Sequence, residues 1–91
     1  MAINKLNDYR KSIDLLDNAL VTILAERMRI VEKVGRYKKQ QNIEPLKPKR
    51  WNAVLNSKKT LGKNLKVSEE LIVEIYEAIH KHALKLEHRQ K

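Results

Sequence analysis

Cysteine and phenylalanine are absent from this 91-residue chain, and glycine and proline occur only twice each. Without cysteine there is no disulfide and no thiolate chemistry, a composition compatible with a reducing compartment. Few glycines and prolines mean few turn signals. With abundant Leu, Ile, Lys and Glu, that argues for an all-α chain. The aromatic residues are Tyr9, Tyr37, Trp51 and Tyr76, too scattered for the stacking platforms of single-strand nucleic-acid binders. No run is apolar enough to span a bilayer, and Met1-Ala2-Ile3-Asn4-Lys5 lacks the apolar core of a signal peptide. A cytoplasmic protein without a membrane partner is expected. Metal-ligand spacing, a glycine-rich phosphate loop and a nucleophile–base signature are all missing. His80 and His82 are two apart and do not share a helix face, so a metal site is not expected.

What the chain does have is positive charge, +9 at neutral pH. That excess suits nucleic acid, an anionic metabolite, or a lysine-rich surface with no ligand. The distribution of the charge separates these readings, and it depends on the helices.

Apolar residues recur at helical spacing from Leu6 to Val34: Leu6, Tyr9, Ile13, Leu16, Leu20, Ile23, Leu24, Ile30, Val31 and Val34. The pattern predicts a first helix from about Asn4 to about Gln41, interrupted only by Gly35, which costs roughly 1 kcal/mol against alanine. Pro45 and Pro48 break the pattern, and Pro48 suits the first position of a second helix. That helix is expected to run to about Leu61 with Trp51, Val54, Leu55 and Leu61 as apolar positions, and to end at Gly62-Lys63-Asn64. Ser68 reads as the N-cap of a third helix, with Glu69 and Glu70 in its first turn. Leu71, Ile72, Ile75, Tyr76, Ile79, Ala83 and Leu86 form its apolar face. Residues 1–91 thus make a single domain of three helices with one very long N-terminal helix. A helix of nearly forty residues spans roughly 55 Å, whereas a compact domain of this size has a radius of gyration of only about 12 Å. The expected solution is a homodimer in which two long helices pack together. The competing solution is a break near Gly35 and a monomeric bundle.

Arg27 lies three and four residues from Ile23, Leu24, Ile30 and Val31, within the apolar stripe. A guanidinium keeps its charge and is almost never buried without a partner. Lys38 continues that stripe beyond Val34, and Arg10 lies on an adjoining face near Leu6 and Ile13. Arg50 stands beside Trp51, and Glu87 follows Ala83 by one turn of the third helix. Singly, each has an ordinary reading: Arg10 pairs with Asp14 or Asp17, Arg27 snorkels or meets a structural carboxylate, and the others are solvated. Jointly, four cations and a carboxyl directed at apolar faces suit a small dianion. Arg10 and Arg27 are roughly 100° and about 25 Å apart on one helix. One helix cannot bring both to one ligand, but two antiparallel helices in a dimer can. For a unimolecular rearrangement such a clamp supplies conformational restraint, with donors where charge develops.

Leu6-x-x-x-Arg10-x-x-Ile13-Asp14-x-x-Asp17, Leu24-Ala25-Glu26-Arg27 and Val34-Gly35-x-x-Lys38 together resemble the all-α chorismate mutases over nearly the whole chain. The resemblance implies an intertwined helical homodimer with two shared active sites. It also implies the cofactor-free Claisen rearrangement of chorismate to prephenate, in the shikimate pathway toward phenylalanine and tyrosine. Arg10 of the partner and Arg27 would hold the substrate carboxylates. Lys38 would bind a carboxylate and the ether oxygen, and Arg50 would support the substrate from the second helix. Glu87 stands where many members have a glutamine donating to that ether oxygen. Glutamate donates only when protonated, so activity is expected to fall as pH rises through the carboxyl's titration. Three positions depart from the family pattern. Lys47 and Trp51 replace an aspartate and a glutamate that engage the substrate's ring hydroxyl, and Ala83 replaces a serine that hydrogen-bonds a carboxylate. Pro48-x-Arg50 also resembles the isochorismate-pyruvate lyases, which share the fold and lack the aspartate. A third possibility is a non-catalytic helical dimer that binds an anionic ligand or nucleic acid. The telling cations lie on apolar faces, which favours a small-molecule site over nucleic acid. No regulatory domain, and no feedback control within the chain, is expected.

Overall fold

The computed structural model describes residues 2–44 and 47–89, except for the side chains of residues 2 and 3. It is all-helical: α1 spans Ala2–Gln40, α2 spans Pro48–Asn64 and α3 spans Glu69–Arg89. The α1 helix runs through Gly35 without a break. Two of its hydroxyl residues bond back to their own helix: Ser12 Oγ donates to the Asp8 carbonyl at 3.2 Å, and Thr22 Oγ1 to the Asn18 carbonyl at 2.8 Å.

Both turns that end α1 and α2 are built the same way. At the end of α1, Asn42 takes a left-handed φ of 56°. Its N–H donates to the Lys39 carbonyl at 3.3 Å, and the Ile43 N–H donates to the Lys38 carbonyl at 2.8 Å. At the end of α2, Lys66 has a φ of 62°, the Lys66 N–H donates to the Lys63 carbonyl at 3.1 Å, and the Val67 N–H to the Gly62 carbonyl at 2.8 Å. This is the paired Schellman pattern, which satisfies carbonyls a helix end would otherwise leave open. Asparagine tolerates the left-handed region, and lysine occupies it at a cost.

Helix α2 begins with Pro48 in its first turn, as expected, and carries no side-chain cap from Lys47. Its end differs from the sequence reading. Gly62, Lys63 and Asn64 are helical, and the chain turns only at Leu65 and Lys66. Gly62 serves close packing instead of termination. A Cβ there would sit 2.7 Å from Ile72 Cγ1, so only glycine lets α3 approach so closely. Ser68 caps α3, its Oγ accepting the Leu71 N–H at 3.1 Å.

The chain comprises two compact units, Met1–Ile30 and Val31–Lys91. The described residues of the first are one helix, so within it Leu6, Tyr9, Ile13, Leu16, Leu20, Ile23 and Ile30 have nothing to pack on and are exposed. In the second, α2 packs on α3. Trp51, Val54, Leu55, Ile72, Tyr76, Ile79 and Leu86 are half-buried and Ala83 is buried. Leu61, Leu71 and Ile75, read as core positions, are exposed. Leu71 precedes Ile72, and a step of about 100° per residue turns it off the α2-facing line of Ile72, Tyr76, Ile79 and Ala83. No helix among the described residues is long and apolar enough to cross a membrane.

Candidate active site

In the Val31–Lys91 unit, Lys38 from the last turn of α1 meets Glu87 from near the end of α3. Lys38 Nζ lies 2.8 Å from Glu87 Oε1, and the side chains are 20% and 10% exposed. This carboxylate oxygen is buried and makes no well-angled hydrogen bond, so it is matched by charge alone. The Schellman turn fixes the lysine from below, because the carbonyl of Lys38 itself takes the Ile43 N–H.

Glu87 belongs to a line along α3. Ala83 precedes it by four residues and His80 by seven, which puts all three on one face. Ala83 is buried and His80 half-buried. The His80 imidazole stacks on the Trp51 indole, with ring centroids 4.0 Å apart and planes inclined by 16°. That contact ties the first turn of α2 to this face. Lys47 and Arg50 precede Trp51 by four residues and by one, and are exposed. With Lys49 they give the start of α2 three cations and no first-turn carboxylate, at the end where the helix dipole also favours an anion.

In the Met1–Ile30 unit, Arg27 is half-buried, and its Nη1 is buried with no hydrogen-bond acceptor among the described residues. A buried guanidinium donor without an acceptor is rare, and such a group can bind an anion. Arg10 is exposed and makes no ion pair with Asp14 or Asp17. The local pairing that would make Arg10 an ordinary surface residue is therefore absent.

Of the residues singled out from sequence, Lys38 and Glu87 are brought into contact. Ala83 shares the α3 face with Glu87, and Lys47 and Arg50 stand at the start of α2. His80 was not singled out, because its neighbour His82 drew attention to a pairing that helix geometry forbids. The usable signal was its spacing to Ala83 and Glu87. Among the described residues no three His, Asp or Glu side chains gather as a metal site. A separate open groove at the far end of α2, lined by Lys59, Thr60, Lys63, Val67 and Glu69, contains none of these residues.

Comparison with known proteins identifies relatives of the chain. A chorismate mutase of Methanocaldococcus jannaschii is 30% identical over 80 residues, covering 88% of this chain and 81% of that protein. A T-protein of Haemophilus influenzae is 31% identical over 70 residues, which is 77% of this chain but only 19% of that much longer protein. No solved structure matches significantly. The family model described as chorismate mutase type II matches residues 9–88, and the chain belongs to that family.

Proposed function

We propose that the protein is an isomerase that converts chorismate to prephenate. The observation that carries the reading is the Lys38–Glu87 pair. Two residues distant in sequence, which the family resemblance assigns to one substrate oxygen, meet at 2.8 Å in a largely buried place. The orphaned Nη1 of Arg27 adds a donor that waits for an anion.

In the proposed reaction the substrate's ether C–O bond breaks while a C–C bond forms within the same molecule. No group is transferred to the protein. Arg27 and the partner's Arg10 hold the two carboxylates and restrict the substrate to a reactive conformer. Lys38 donates to the ether oxygen, where negative charge builds as the bond breaks, and Glu87 holds the ammonium beside it. Arg50, with Lys47, presents positive charge from α2, and Ala83 forms part of the apolar floor.

The shared site requires a homodimer. The exposed line of Leu6, Tyr9, Ile13, Leu16, Leu20 and Ile23 supports one. Fully burying a side chain of this kind contributes about 1.5–3 kcal/mol, so a second copy of α1 covering this line stabilises both chains. The unpaired state of Arg10 suits a residue that serves the neighbouring subunit. The proposed setting is the cytoplasm and the route to phenylalanine and tyrosine.

The test is incubation of the purified protein with chorismate and with isochorismate separately, following prephenate, salicylate and pyruvate. Prephenate from chorismate is expected. Salicylate and pyruvate from isochorismate alone would instead make it the lyase, for which Lys47 in place of a carboxylate is the pointer. No turnover of either, with tight DNA binding, would overturn the enzymatic reading.

A further inference from the structure

We infer that His80, held by its stack on Trp51, is the specificity residue that receives the substrate's ring hydroxyl. The inference rests on the chorismate reading above. Chorismate presents two carboxylates, an ether oxygen and a ring hydroxyl. The cations of the site suit the first three, because ammonium and guanidinium groups only donate. A hydroxyl also has a proton to give and needs an acceptor.

Few groups near the start of α2 can accept. Lys47 and Arg50 are donors, the Trp51 indole N–H is a donor, Ala83 has no polar atom, and Asn52, which can accept, is exposed. Glu87 Oε1 is engaged by Lys38, and Glu87 stands seven residues, about 10 Å, along α3 from His80. A neutral imidazole has one N–H and one lone pair. It can therefore both accept from a hydroxyl and donate to it.

The geometry leaves the histidine ready for that contact. His80 is on the Ala83–Glu87 face of α3 and is half-buried. The indole covers one face of the ring at 4.0 Å and fixes its plane. The stack uses the π-face, not the edge. Neither ring nitrogen makes a hydrogen bond among the described residues. A ring with a fixed plane and an unused edge loses little freedom when a ligand binds, which favours discrimination. Trp51 is then a positioning residue that acts through His80.

The experiment uses the full chain as wild type, His80→Phe and His80→Asn. Two stable cyclic dicarboxylates, one with a ring hydroxyl and one without, are titrated against the fluorescence of Trp51, the chain's one tryptophan. Chorismate kinetics are measured in parallel. Phenylalanine preserves the stack but has no nitrogen, whereas asparagine keeps an acceptor. Wild type is expected to prefer the hydroxylated ligand about tenfold, the scale of one hydrogen bond. His80→Phe should lose that preference and raise KM for chorismate about tenfold, with kcat changed less than threefold. His80→Asn should retain part of the preference. If His80→Phe does not fold, the His80 ring-nitrogen resonances of labelled wild type decide: they should shift with the hydroxylated ligand and not with the other.

Undiminished discrimination in His80→Phe overturns the inference, as does an equal loss of both ligands, which would mark a structural role. So does a wild type that binds neither ligand. A wild type that cannot turn over chorismate, yet loses discrimination on His80→Phe substitution, supports this assignment while removing the mutase reading. Intact turnover with intact discrimination in the variant does the reverse.

Discussion

Replacing Glu87 by glutamine separates what its carboxyl does to the fold from what it does to the reaction. At 2.8 Å from Lys38 Nζ, opposite charges attract by about 6 kcal/mol at an effective dielectric constant of about 20. Desolvation of two largely buried ions offsets most of that. Deleting the acceptor outright would take the carboxylate away from Lys38 and leave its desolvation less well compensated. Glutamine keeps a carbonyl for Lys38, so the expected loss is smaller, about 1–2 kcal/mol. For a chain of this length each kcal/mol lowers Tm by about 4–8 °C. Activity should move the other way. A carboxylate that holds Lys38 cannot donate to the ether oxygen, whereas a glutamine amide can. Glu87→Gln should therefore raise kcat/KM for prephenate formation by up to about tenfold, the scale of one hydrogen bond, while its Tm falls. The assay is prephenate formation by both proteins, with melting curves alongside. A loss of tenfold or more in kcat/KM in a folded Glu87→Gln protein would refute this role for Glu87.

Other perturbations address the frame around the site. Lys66→Gly relieves a left-handed lysine and should stabilise the protein by about 0.5–1 kcal/mol in urea titrations. Gly62→Val sets new atoms against Ile72, 2.7 Å from where the Cβ would be, and should destabilise by about 1–3 kcal/mol. Adding Ile72→Ala to that variant should recover part of the loss if this overlap is the cause. Ser68→Ala removes the α3 cap and should cost about 1 kcal/mol by denaturant melting. Mixing inactive Arg10→Ala and Arg27→Ala chains should restore activity in some sites. If mixed dimers form by native mass spectrometry yet stay inactive, Arg10 does not serve the partner.

The sequence made the helices legible wherever one residue carried one meaning. Pro48 could only open a helix, and Ser68 before two glutamates could only cap one. Gly62 was ambiguous. A glycine that ends a helix and a glycine that admits a neighbouring helix look alike until the neighbour, Ile72, is known. Leu71 and Ile75, exposed in the single chain, were ambiguous for a related reason. Spacing gives an apolar face its width, and only the packing of α2 decides which edge of it stays wet. Lys38 and Glu87 were each recognisable as charges on apolar faces, and the family resemblance joined their roles. Their contact, like the Trp51–His80 stack, depends on how separate helices meet and has no local signature. Arg27 stood out from the first because a guanidinium in a stripe of leucine, isoleucine and valine must either snorkel out of it or meet an anion. The orphaned Nη1 is the structural form of that misfit.

The turn that ends α1 has a consequence for how such chains can diversify. Its two hydrogen bonds run from Asn42 and Ile43 back to Lys39 and Lys38, so the stop is complete within six residues, Lys38 to Ile43. Nothing downstream is needed to hold it. The connection to α2 can therefore change in length after Ile43 without dragging the Lys38 backbone, whereas a single residue inserted between Lys38 and Asn42 would shift both bonds. Insertions and deletions in related chains should accordingly cluster on the α2 side of Ile43.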